Sequence, residues 1–124
     1  MLGYDLINEP VLPDGHGNDE LRPLYVEVTQ AIRAIDTQHL LFVEGNWYAS
    51  DFNQLDAPWD DNMAYSFHLY EWTGATPDPS WIDKYVQLRE ATDRPLWLGE
   101  TSVPGFALPP NHRQYFLDRA AEAA

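Results

Sequence analysis

Two glutamates in this chain stand where an apolar run gives way to polar residues: Glu9 in Asn8-Glu9-Pro10 and Glu100 in Leu98-Gly99-Glu100. Two carboxylates facing each other across a cleft can divide the work of cleaving a glycosidic bond. One protonates the leaving oxygen while the other attacks the anomeric carbon or activates water. A gap of roughly 5–5.5 Å gives retention of configuration, and a wider gap gives inversion. Like charges so close push one pKa upward, so each carboxylate needs its own surroundings. His68 and Tyr70, two residues apart, share a face if they lie on a strand. A tyrosine hydroxyl bonded to Glu100 would stabilise its carboxylate and keep it nucleophilic.

The elements that must position these groups alternate between two periodicities. An apolar run over 3–8 ends at Glu9-Pro10, where the proline discourages further pairing. A Gly-, Pro-, Asp- and Asn-rich loop follows over 11–19. Leu21, Leu24, Tyr25, Val28, Ile32 and Ile35 then recur at helical spacing and predict one apolar stripe. Residues 39–44 read as a buried strand, 45–62 as a long loop, and 63–68 as a third strand running into Leu69-Tyr70. After a turn over 74–79, Ser80 is placed to cap a helix bearing Trp81, Tyr85 and Leu88. A fourth strand over 95–99 ends at Glu100. Beyond Pro109-Pro110, Asn111 is placed to cap a last helix with Tyr115, Phe116 and Arg119.

Such alternation, with near-continuous apolar strands, implies a parallel sheet covered on both faces. An open doubly wound sheet and an arc of a (β/α)8 barrel both fit. The barrel is favoured, because every strand ends in a polar or aromatic cluster at its C-terminal edge, where barrel sites are built. An open sheet gathers its chemistry at one switch point. Parity along the strands puts Leu96, Leu98 and Glu100 on one face, and Asp5, Ile7 and Glu9 on another. Asp5 would then point inward and need a partner, expected in a part of the barrel outside this chain.

Composition narrows the partners. A formal net charge of -13 disfavours nucleic acid and acidic membrane surfaces, whereas a neutral substrate meets no such penalty. With no cysteine, disulfides, thiolate nucleophiles and Cys metal sites are excluded. No His-Glu-x-x-His motif or close Asp/His cluster points to a metal, so no cofactor is expected. At 44% hydrophobic and 14% aromatic residues, the 124-residue chain is read as a single packed unit over 1–124. It carries no apolar run long enough to span a membrane and no signal-like leader. Its start inside a strand suggests a truncated protein.

The runs Gly3-Tyr4-Asp5-Leu6-Ile7-Asn8-Glu9-Pro10, His68-Leu69-Tyr70 and Leu96-Trp97-Leu98-Gly99-Glu100 resemble the motifs of glycoside hydrolase family 5, the cellulase-like members of clan A. The resemblance covers roughly residues 3–103, with three motifs in order. It implies a partial TIM (β/α)8 barrel, about strands 4–7 with their helices. It also implies Glu9 as acid/base, Glu100 as nucleophile, Asn8 bonding the sugar 2-hydroxyl, and His68 and Tyr70 beside the nucleophile. The implied activity is a retaining hydrolase of a β-linked polysaccharide, first an endo-β-1,4-glucanase, with mannanase, β-glucosidase or exo-glucanase activity as alternatives. Secretion follows by the same analogy. The family's strand 2 arginine, its strand 3 residues and the tryptophan after strand 8 have no counterpart here. The rival reading is therefore an inactive half barrel that at most binds sugar, or that self-associates through open sheet edges.

Trp47 and Trp72 follow strand ends and could form stacking floors for sugars, with loop packing as the alternative. Trp59, Trp81, Tyr85 and Tyr115 are expected in packing. Glu44, at another strand end, is a weaker candidate for ligand contact, and His16, His39 and His112 are expected to be structural or exposed.

Overall fold

The computed structural model describes residues 1–55, 57–70 and 80–102. Four strands, β1 (Gly3–Asp5), β2 (Leu40–Glu44), β3 (Met63–Tyr70) and β4 (Leu96–Ser102), form one sheet in the order β1-β2-β3-β4. Every neighbouring pair is parallel. Helix α1 (Asn18–Arg33) links β1 to β2 and α3 (Ser80–Thr92) links β3 to β4, whereas the β2–β3 connection carries only the short turn α2 (Asn46–Ala49). Strand order equal to chain order, with helical crossovers, is the plan of a barrel arc. The partial (β/α)8 barrel expected from the sequence is the fold observed. No helix among the described residues is long and apolar enough to cross a membrane.

Alternation along the strands sorts the side chains into two faces. Leu41 and Val43 of β2 and Met63 and Tyr65 of β3 meet Leu21 and Tyr25 of α1 and Leu55 of the long loop in one buried cluster. Leu41 is fully buried there. Leu41→Ala is expected to lower unfolding free energy by about 3 kcal/mol, from lost transfer energy plus a cavity; urea denaturation of the two chains measures it. The opposite face carries Phe42, Ala64 and Trp97, with the Phe42 and Trp97 rings 5.4 Å apart. Trp97 is 48% exposed, because the concave side of the arc is open.

Two members of the expected helical stripe fall outside it. Leu24 and Ile35 are exposed, Ile35 because α1 ends at Arg33. Thr29 is buried with Leu21 and Tyr25, and its hydroxyl accepts the Trp59 indole N–H at 3.0 Å. Trp59 and Tyr85 pack as expected: the first stacks on Tyr25, the second on Phe67. His39, just before β2, contacts Asp36, and His16 contacts Glu20. The turn at 74–79, the side chains of Ser80 and Trp81, and the whole of Trp72, His112 and the last helix with Asn111 and Tyr115 lie outside the described residues.

Strand ends also differ from expectation. β1 stops at Asp5 rather than residue 8, and Ile7 packs against the helix-side cluster. The expected shared face of Asp5, Ile7 and Glu9 therefore does not form. The loop after β2 contains a left-handed turn, with φ of 53°, 55° and 58° at Trp47, Tyr48 and Ala49. Asn18 holds that loop: its side chain donates to the carbonyls of Asp51 and Asn53 and accepts the Asn46 N–H. The result is two half-exposed aromatics, Trp47 and Tyr48, past the C-terminal end of β2.

Candidate active site

The C-terminal ends of all four strands converge on one cluster. An oxygen of Glu9, an oxygen of Glu100 and a ring nitrogen of His68 lie within 4.8 Å of one another. His68 Nδ1 shares a hydrogen bond with Glu9 Oε1 at 2.7 Å and stands 3.7 Å from Glu100 Oε2. The Tyr70 hydroxyl donates to Glu100 Oε2. That bond, then desolvation, pushes the Tyr70 phenol up to about 12, so it remains a neutral donor across the neutral pH range. The imidazole is buried, whereas the Glu9 and Glu100 side chains are 29% and 40% exposed. Two carboxylates thus reach solvent from a buried imidazole floor. Three such donor atoms have the spacing a divalent cation would need, but Glu9 and His68 are already engaged with each other.

A break in the strand pairing brings Glu100 into this cluster. Phe67 pairs with Leu98, but the next residue, His68, pairs with Glu100, leaving Gly99 unopposed. The bulge reverses the parity expected for Leu96, Leu98 and Glu100: Leu96 packs against the helix-side core, and Glu100 joins the concave face. A Cβ on Gly99 would meet Ser66 Oγ at 2.7 Å and His68 Nε2 at 3.0 Å. Gly99→Ala must therefore displace the Ser66 hydroxyl, the His68 imidazole or β4 itself, all of which border the cluster. With displacements near 1 Å costing about a hundredfold, kcat/KM is expected to fall by roughly that factor while circular dichroism stays unchanged.

Glu9 is held in a conformation that disfavours side chains, with φ +47°, at a cost of about 1–3 kcal/mol. Its N–H donates to Glu44 Oε2 at 2.6 Å. Asn8 beside it is exposed. Glu44 is the residue the sequence undervalued. It is fully buried; its Oε1 accepts from the Ser66 hydroxyl at 3.4 Å and lies 3.1 Å from His68 Nε2. Burial raises its carboxyl, and the Asp5 carboxylate adds to this. Asp5 is raised too, chiefly by desolvation, with its side-chain contact to Glu44 opposing the shift. The expected burial of Asp5 against a basic group does not hold: Asp5 is exposed at the end of β1, and the group beside it is the acidic Glu44. Nothing local marks Glu44 in the sequence except a charge closing the run Leu40-Leu41-Phe42-Val43.

Trp47 is 49% exposed, free enough to take a planar ligand face. A cleft of about 330 Å³ between the 50–53 loop and α3, lined by Asp51, Phe52, Lys84 and Tyr85 among others, includes none of these site residues.

The family described as cellulase (glycosyl hydrolase family 5) matches residues 1–122. A β-xylosidase of Phanerodontia chrysosporium is 39% identical over 84 residues, 64% of this chain and 17% of that protein. An endoglycoceramidase of Cyanea nozakii is 30% identical over 87 residues, 57% of this chain and 17% of that protein. Endoglucanase C of Acetivibrio thermocellus is 35% identical over 71 residues, 56% of this chain and 20% of that protein. The crystal structure of the catalytic domain of Thermobifida fusca endoglucanase Cel5A superposes with a TM-score of 0.69 at 22% identity, over 98% of this chain and 41% of that one. The matches span a fifth or less of these curated relatives. With four parallel strands, their helical crossovers and a match over residues 1–122, the chain belongs to glycosyl hydrolase family 5.

Proposed function

We propose that this chain supplies the catalytic rim of a retaining glycoside hydrolase acting on a β-linked polysaccharide, first of all a β-1,4-glucan. The observation that carries the reading is the grouping of Glu9, His68 and Glu100 donor atoms within 4.8 Å. That spacing suits the closer, retaining arrangement of two carboxyl groups. Glu100 attacks the anomeric carbon while Glu9 gives its proton to the leaving oxygen, forming a glycosyl-enzyme. Glu9 then takes a proton from water, which releases the sugar and frees Glu100.

The remaining residues support these steps. Tyr70 donates to Glu100 and so keeps it ionised for attack. His68 holds the Glu9 carboxyl toward Glu100. Asn8 is placed by family resemblance on the sugar 2-hydroxyl, an interaction that strengthens in the transition state. Trp47 offers an exposed ring for stacking, and Trp72 keeps the same proposed role. A net charge of -13 favours neutral glycans over polyanions. The endoglucanase relative favours a glucan, whereas the relatives named β-xylosidase and endoglycoceramidase keep other glycosides open. Among the described residues β1 and β4 each pair on one side only, so further strands, from the same protein or another copy, are proposed to complete the wall.

Release of reducing ends from hydroxyethylcellulose, mannan, xylan and aryl β-glycosides tests this directly. Hydrolysis of a β-glucan with retention, followed by proton NMR of the first product, is expected; no hydrolysis of any β-glycoside would overturn the reading.

A further inference from the structure

We infer that Glu44 is a positioning residue for Glu9: one buried carboxylate holds Glu9 by its main chain and abuts the imidazole that holds Glu9 by its side chain. The inference rests on the hydrolase reading above and adds a residue to it. Glu44 Oε2 accepts the Glu9 N–H at 2.6 Å, while its Oε1 lies 3.1 Å from His68 Nε2. His68 Nδ1 in turn reaches Glu9 Oε1 at 2.7 Å. The acid/base residue is thus gripped at both ends from one point.

The grip matters because of the backbone it restrains. Glu9 has φ +47°, a conformation that persists only where surrounding contacts enforce it. The chain has already left β1 at Asp5, so no ladder bond fixes residue 9. Packing alone does not account for Glu44. An apolar residue of similar volume fills a buried site as well or better than a charge. What an apolar side chain lacks is an acceptor for that N–H. The groups facing the Glu44 side chain are the Glu9 N–H, the Ser66 hydroxyl, the His68 imidazole and the Asp5 carboxyl, while the Tyr25 hydroxyl binds the Glu44 carbonyl and ties the strand end to α1. Three of those elements end at the proposed site.

Glu44→Met removes the acceptor and Glu44→Gln keeps one. Both variants of the full chain are compared on a phenyl β-glycoside, whose leaving group needs protonation, and on a dinitrophenyl β-glycoside, whose leaving group does not. For Glu44→Met, kcat/KM on the phenyl glycoside is expected to fall about a hundredfold, from misplacement of the acid. On the dinitrophenyl glycoside it should change by less than about threefold. Glu44→Gln should recover to within about tenfold of the parent on the phenyl substrate. Equal losses on both substrates, or a Gln variant no better than Met, would overturn the proposal.

A second measurement is independent of turnover. In the parent chain the Glu9 amide proton is expected to exchange at least about tenfold more slowly than the amides of Asp14, Gly15 and Gly17 in the following loop. Exchange at loop rates overturns the grip whatever the activity. A protected Glu9 amide in a parent chain without turnover would instead count against the hydrolase reading alone.

Discussion

Glu100→Ala is expected to lower kcat/KM on a β-glucan or aryl β-glycoside by about ten-thousand-fold or more, because it removes the proposed nucleophile and leaves Glu9 in the acid/base role. Tyr70 donates to Glu100 and His68 is bonded to Glu9, so neither offers a substitute carboxylate. The side chain is 40% exposed and lies in the C-terminal half of β4, so the fold should survive its removal. Azide entering the vacated space would attack the anomeric carbon directly and give a glycosyl azide of inverted configuration. Steady-state kinetics with and without azide, and NMR of the product, check both parts. A loss of less than about tenfold would remove Glu100 from the nucleophile's role.

Glu9→Ala is expected to produce the second-largest effect, with a different signature. Loss of the acid should cost about a hundred- to ten-thousand-fold in kcat/KM where the leaving group is poor, and little where it is a dinitrophenolate. The second step loses its base in both cases, so the glycosyl-enzyme should accumulate, visible as a burst of dinitrophenolate. Azide needs no base and should speed release, giving a product of retained configuration. The two glutamates are thereby distinguished by product stereochemistry, which a general loss of folding cannot mimic.

Much of this arrangement was legible in the residues. Apolar runs bounded by Glu9-Pro10, Glu44-Gly45 and Glu100 marked strands because buried parallel strands must be apolar on both faces. The pair His68 and Tyr70 was placed correctly by strand parity alone. Where parity misled, an irregularity intervened that rests on contacts distant in sequence. The bulge falls at Gly99, where Ser66 and His68 occupy the space a side chain would need. The left-handed turn at Trp47–Ala49 is fixed by a loop that Asn18 ties down from α1. Leu24 looked like core because helical spacing tolerates a broad stripe, whereas the sheet covers only the Leu21 and Tyr25 side of α1. Glu44 was undervalued for a related reason. A single glutamate after a strand reads the same whether it is solvated or buried, and only the approach of β1 and β3 makes it the floor of the site.

The proposed double displacement passes through a glycosyl-enzyme on Glu100, and that intermediate can be trapped. A dinitrophenyl β-cellobioside fluorinated at the sugar 2-position reacts through its good leaving group. The fluorine also removes the 2-hydroxyl contact that assists the second step, so the adduct persists. Peptide mapping by mass spectrometry then locates the sugar. The account predicts one sugar per chain, esterified to Glu100; an adduct on Glu9 or elsewhere, or turnover with no adduct and an inverted product, would contradict it.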